Sequence, residues 1–220
     1  MNERSSRGGD SAASSSRLAP RQVTLPPGVG VDGTRGRILE TALHLFANKG
    51  FHGVSIRDLA KELQLQPSAF YAHYRSKEHI LAALIRLGHE AQHEALRAAL
   101  LDAGADPAAQ LGALVRANAT LHATYPQLAI VANEELHVLP PELAAPVMEL
   151  RKGSAALLHE VILRGVALGR FACRSPLVTA AAIGAMGLRI PYWYQPESGL
   201  AIDTLADIHA ELALRMLGCS

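Results

Sequence analysis

His89-Glu90-Ala91-Gln92-His93 spells H-E-x-x-H. On a helix this spacing sets two imidazoles one turn apart, where they can hold a zinc ion while the glutamate acts as general base in a hydrolysis. A catalytic zinc needs a third protein ligand and an open position for water. No suitable third ligand and no substrate-binding strand accompanies His89 and His93. A zinc-dependent hydrolase acting through His89, Glu90 and His93 therefore stays as the alternative from a different class. The expectation is no catalytic residue, no metal and no cofactor. At about 100° per residue, Ile80, Leu84, Leu87 and Ala91 fall on one stripe and both histidines on the opposite side. The motif is thus expected to supply solvent-facing or domain-packing histidines.

The elements around this motif are helical throughout. Ile38, Ala42 and Leu45 recur at helical spacing beside Leu39, Leu43 and Phe46, between Thr34 as a candidate N-cap and Gly50 as a candidate stop. Ser55-x-x-Asp58 is a capping-box signature, and Ile56, Leu59, Ala60 and Leu63 form the stripe that follows it. Gln64-Leu65-Gln66 separates that short helix from Pro67, which suits a first helical position because its missing N–H would be unpaired there anyway. PSAFYAHY then reads as a third short helix with Phe70 and Tyr74 turned inward. Ser76 caps a fourth, with Glu78 in its first turn and a pattern that runs past Leu100. Further helices are expected at about 107–124, 127–138, 141–169, 176–192 and 200–217, with breaks at Tyr125-Pro126, Pro140-Pro141, Ser175-Pro176 and Gln195-Pro196 through Gly199. The fold class is all-α with about nine helices.

Bulk composition agrees with this reading. The chain has 220 residues, 49% of them hydrophobic and only 5% aromatic, and is rich in alanine, which costs least in a helix. No apolar run reaches the roughly 18 residues of a membrane helix, and the start carries no apolar signal segment. Two cysteines, Cys173 and Cys219, suit a reduced cytoplasmic protein better than a disulfide scaffold. Charge is unevenly spread. Residues 34–86 carry eight Lys or Arg against four Asp or Glu, whereas residues 87–220 carry nine against thirteen. A basic first part suggests a module for a polyanion. Residues 1–33, rich in Ser, Gly, Arg and Pro, read as a disordered arm whose four arginines belong to a solvated tail.

Two short helices joined by a three-residue turn, the second opening on small and polar residues, have the makings of a helix-turn-helix, although pattern alone also allows a plain helical hairpin. The run VSIRDLAKELQLQPSAFYAHYRSKEHIL resembles the DNA-binding segment of the TetR family of bacterial transcriptional repressors. Ser55 stands at that family's Thr, Leu59-Ala60 at its Ile-Ala, Phe70-Tyr71-x-His73-Tyr74 at its L-Y-x-H-F, and Ser76-Lys77-Glu78 with Leu81 completes the match. ILETALHLFANKGFHGVS looks like its first helix. Gln64 replaces the family's usual turn glycine, and Gln66 its usual serine cap. The resemblance implies a helix-turn-helix DNA-binding domain at 34–80 and a ligand-binding and dimerisation domain at 81–220. It implies phosphate contacts from Ser55, Tyr71, His73 and Lys77, which position a protein without reading sequence. It places Gln66, Pro67, Ser68, Ala69 and Ala72 at base edges, where Gln can pair with adenine and Ala can meet a thymine methyl.

The second domain is expected to sense a small molecule and to dimerise, as TetR-like regulators do. A palindromic double-stranded DNA operator would then meet a two-fold homodimer. The last two helices are the expected interface: TAAAIGAMGL is dominated by small residues, and Leu205, Ile208, Leu212 and Met216 share a stripe. Segments such as EELHVLPPELAAPVMELRKG and IPYWYQPESGL resemble the subset that represses fatty-acid and steroid breakdown, some of which sense acyl-CoA thioesters. That resemblance implies a lipophilic effector, an acyl-CoA or a related acid, with Asn118, His122, Tyr125, Asn133, Met148, Arg151 and Trp193 as candidate pocket residues and Arg151 as partner for a phosphate or carboxylate. A regulator of drug efflux is the alternative within the same fold. It would use acidic and aromatic pocket residues, for which Glu134, Glu135 and Trp193 are the candidates.

Overall fold

The computed structural model describes residues 23–27 and 32–219. Nine α-helices and two short 3-10 turns make up its regular structure, with no strand among the described residues. α1 (Gly33–Lys49) is capped at Asp32, two residues before the Thr34 that its sequence signals suggest, and stops at Gly50, whose φ of 71° a residue with a Cβ would resist. α2 (Ile56–Leu63) starts on the capping box expected of Ser55 and Asp58. α3 is only Pro67–Tyr71, so His73 and Tyr74 lie in the turn that follows it, not on the longer helix expected. α4 (Lys77–Asp102) is one continuous helix through residue 80, the boundary expected between the domains.

α5 (Pro107–Thr124), α6 (Pro126–Glu134), α7 (Pro141–Ala167), α8 (Pro176–Trp193) and α9 (Ile202–Met216) form the second body. Proline sits at a first helical position of α5, α6, α7 and α8, which is why their starts were legible. The span expected to be one helix at 127–138 divides into α6 and a 3-10 turn, Leu136–Val138. α5 packs most extensively on α9 and is also flanked by α4, α7 and α8.

The main core does not respect a domain border. Ile38, Leu43, Phe46, Leu59, Phe70 and Ile80 of the first four helices share one buried cluster with Leu128, Val131, Leu136 and Val147 of the second body. One part of the expected N-terminal arm needs correction. Pro26 is buried, and Val23 and Leu25 pack on this same cluster. Three apolar side chains in a five-residue stretch are enough to pin it. The rest of the arm, 1–22 and 28–31, lies outside the described residues.

Candidate nucleic-acid interface and effector cavity

α2 and α3 are joined by a tight turn that depends on Gln64. Its φ of 54° and ψ of 38° are left-handed, the one positive φ among the described non-glycine residues. The Leu65 N–H donates to Ala60 O at 2.9 Å and closes α2. A glycine would enter this conformation without crowding its Cβ, so the turn that the resemblance assigns to glycine is made here at some strain. Phe70, fully buried, anchors α3 from beneath, and Tyr74 is 5% exposed with Arg35 Nε donating to its hydroxyl at 3.1 Å.

With that face fixed, the other face of α3 stands open. Gln66, Pro67, Ser68, Tyr71, Ala72 and His73 are exposed and Ala69 is half-buried. Tyr71, at 60% exposure, is a large aromatic that no packing requirement places outside. Two of the expected contact residues have other tasks. Ser55 Oγ donates to Asp58 Oδ2 at 2.6 Å, and the Ser55 N–H donates to the same oxygen at 2.8 Å. Both donors expected to meet a phosphate are thus used in the capping box, which also holds the Asp58 carboxyl below its ordinary value. Lys77 Nζ donates to Phe51 O at 2.8 Å and Val54 O at 2.7 Å, and sits 3.9 Å from the centre of the Phe51 ring. Desolvation lowers its pKa. Its ammonium faces inward and ties the start of α4 to the α1–α2 connection. The groups of Ser55 and Lys77 expected at a phosphate thus make internal hydrogen bonds in the free protein.

A third group completes that joint. Glu135, after α6, accepts from the Phe51 N–H at 3.2 Å through Oε1. Phe51 is therefore held on one side by α4 and on the other by the second body.

In the second body α4, α5, α7 and α8 enclose a cavity of about 540 Å³. Asn118, Asn133 and Arg151, three of the sequence candidates, line it. His122 and Tyr125 do not. They line a small neighbouring void near 10 Å³, together with Pro26. Met148 and Trp193 fall outside both, at 41% and 53% exposure. Trp193 instead lies flat on the His209 ring, 6.3 Å between centroids and 9° apart in plane, because the helix carrying it ends there and turns its face out. Glu134 and Glu135 line neither space.

H-E-x-x-H is split by the fold. Glu90 points out and pairs with Arg86 at 2.6 Å. His89, expected opposite the apolar stripe, is 4% exposed and is part of the wall of both spaces. His93 Nδ1 is 3.1 Å from Ser154 Oγ of α7. α4 is packed on several sides, by α5, α6 and α7, so the face opposite its head-directed stripe is also interior. Among the described residues no group of three or more His, Cys, Asp or Glu is placed to hold a metal. Gln92, Ser154, His159 and His209 also line the cavity, unnoticed in the sequence. His89 and Gln92 lie on a helix that also carries Arg86, Glu90, Glu94 and Arg97, so no local signal set the cavity-facing polar positions apart. Gly187 lets α8 come close: a Cβ there would lie 2.1 Å from Asn118 Nδ2.

A recognition helix held open over a braced three-helix head, carried on a cavity-bearing helical body, defines a helix-turn-helix DNA-binding regulator. Residues 38–84 match the model for bacterial regulatory proteins of the tetR family, and residues 104–217 match the tetracyclin repressor-like C-terminal domain. The chain belongs to the TetR family of transcriptional repressors. It is 27% identical over 199 residues to the HTH-type transcriptional repressor KstR2 of Rhodococcus jostii, covering 87% of this chain and 96% of that protein. A tetR-family regulatory protein from Rhodococcus RHA1 matches in structure with a TM-score of 0.78 and 31% identity, over 84% of this chain and 97% of the other. AibR, solved with isovaleryl coenzyme A and operator DNA, matches with a TM-score of 0.73 and 25% identity, over 83% of this chain and 97% of the other. No helix among the described residues is long and apolar enough to cross a membrane.

Proposed function

We propose that this protein is a homodimeric cytoplasmic repressor that leaves a palindromic operator when a lipophilic effector, an acyl-CoA or a related acid, enters the cavity. The observation that carries this reading is that α4 belongs to both sites. Lys77 at its start locks the head, and His89 and Gln92 farther along line the cavity. A ligand that favours one setting of α4 shifts the separation of the two heads, and only such a differential preference can move the equilibrium. Tyr71 and His73 are assigned to phosphates, and Gln66, Pro67, Ser68, Ala69 and Ala72 to base edges.

Support for the dimer comes from α8 and α9. Leu177, Val178, Tyr192 and Trp193 of α8 and Ile208, Leu212 and Met216 of α9 are each at least 40% exposed, an apolar surface large for a lone domain. Support for the effector class comes from the cavity wall, which is mostly aliphatic and includes no carboxylate. That composition, with Glu134, Glu135 and Trp193 all outside, gives a cationic drug nothing to pair with. The KstR2 and AibR relatives are a repressor and an isovaleryl coenzyme A complex, in line with this class. Gel shifts with DNA flanking the protein's own gene, titrated with salt and with a mixed acyl-CoA pool, test the reading. Specific binding released by the pool is expected. Binding that the pool leaves intact would sink the effector assignment, and no specific binding at low salt would sink the repressor itself.

A further inference from the structure

Two polar side chains of the cavity stand apart from the rest. Most of its polar lining is already engaged: Gln92 Nε2 donates to Asn118 Oδ1 at 2.8 Å, Asn133 Nδ2 to Ala129 O at 2.7 Å, and Ser154 Oγ meets His93. His209 Nδ1 is 2.8 Å from Leu205 O. Lys152, at the rim, pairs with Glu149 at 2.7 Å. Arg151 of α7 has no carboxylate partner among the described residues, and the buried Nε2 of His89 on α4 makes no hydrogen bond of good geometry, although Gln92 and the Ala132 backbone stand close to the ring. A buried polar nitrogen left unpaired costs stability. Both residues line the cavity, and the contact of His93 with Ser154 brings α4 and α7 together within a turn of them. Leu96, Leu114, Val115, Leu158, Ile183 and Leu188 supply the apolar remainder.

We infer that Arg151 and His89 together form the recognition point for an anionic head, a carboxylate or phosphate, on an otherwise apolar effector. Arg151 holds the anion through its guanidinium, which can pair with two oxygens at once. His89, neutral in the free protein, adds a ring hydrogen bond to the same head or to the atom beside it. The assignment places one of the two contacts on α4 itself, the helix that carries Lys77 into the head. It rests on the effector reading above for its biological use, but not for its chemistry, which concerns binding alone.

The test is calorimetric titration of the full-length protein without DNA, using four probes with the same ten-carbon tail: decanoate, decanoyl-CoA, decanol and decyltrimethylammonium. At least one of the two anionic probes is expected to bind about tenfold or more tighter than decanol, with the ammonium weakest. Decanoate ahead of decanoyl-CoA identifies a carboxylate as the head, and the reverse identifies the phosphates of coenzyme A. R151Q is expected to erase the margin over decanol while leaving decanol affinity unchanged, and R151K to restore part of it. H89L is expected to weaken the anion several-fold. Equal binding of decanol and both anions, tighter binding of the ammonium, an undiminished anion preference in R151Q, or no binding of any probe would overturn the inference. Folding of each variant is checked by its melting curve, and R151K guards against a misfolded R151Q. DNA release is measured separately. An anion preference with no release would leave the recognition point standing and remove the effector reading. Release by decanoate with an unchanged R151Q would do the opposite.

Discussion

The head and the cavity wall, which share only α4, are built in opposite ways. Beneath α3, the large side chains Phe46, Phe70, Ile38, Leu43 and Leu59 are fully buried against one another. Around the cavity, α8 offers Ala180, Ala181, Gly184, Ala185 and Gly187, and about 540 Å³ stays open between helices. Large interlocking groups fix a shape, because any shift opens a void or forces a clash. Small groups around an opening leave the helices freer to adjust. The head is thus the part to be moved as a unit, and the cavity body the part that yields. Glu135, Phe51 and Lys77 are the joint between them.

The largest effect should come from breaking the rigid side of this contrast. Phe70→Ala removes the buried anchor of α3 and should cost about 3–5 kcal/mol in urea unfolding, with loss of specific DNA binding. A cost below about 1 kcal/mol would mean the head relaxes readily and the contrast is false.

Next comes the pH response of the cavity side. Burial first, then the charge of Arg151, lowers His89 from 6.5 to about 4. Between those values the unfolded chain takes up a proton that the folded protein refuses. Stability is therefore complete above about pH 6.5 and declines as pH falls toward 4. The full span is worth roughly 3 kcal/mol. His89→Leu should flatten much of the fall in melting temperature between neutral pH and pH 5. His122, also lowered by burial, would leave a residual slope. An unaltered pH profile in His89→Leu would show that this imidazole is hydrated.

The joint itself should respond less. Lys77→Met leaves Phe51 O and Val54 O without their donor and should cost about 1–3 kcal/mol. Its salt slope for DNA binding should match that of the unaltered protein. A slope reduced by about one would return Lys77 to the phosphate contacts. The smallest change is a gain: Gln64→Gly relieves the left-handed backbone and should add about 1 kcal/mol. No gain would mean that the Gln64 side chain contributes contacts that offset its strain.

Helix positions were legible because their signals are local. Ser55 with Asp58, and prolines at the starts of α3, α5, α6, α7 and α8, act within a turn of themselves. The exposed face of α3 was legible for a similar reason, since Phe70 and Tyr74 at helical spacing declare which side is buried. Of the two placements expected for His89 and His93, solvent-facing or packed between elements, the structure takes the second, and a projection of one helix at a time does not decide between them. Their stripe is exterior to the head's core yet interior to the whole, once α5, α6 and α7 arrive. The internal partners of Lys77 were not legible because they are backbone carbonyls at residues 51 and 54, and a carbonyl carries no side-chain identity in a sequence.

By itself, then, the sequence determined the all-α class, the nine helices to within a few residues, the helix-turn-helix and the face it exposes. The class and the helices follow from residue type and spacing over a turn or two, and the helix-turn-helix from the resemblance of one fifty-residue run to a known family. Only the tertiary structure decided that Pro26 joins the wall of the void beside His89, that Met148 and Trp193 stand outside the cavity, and that Arg151 faces it with no carboxylate in the wall. Those facts depend on which helices meet and how far apart they stop. That is set by side-chain volumes summed across the chain, and no local pattern records it.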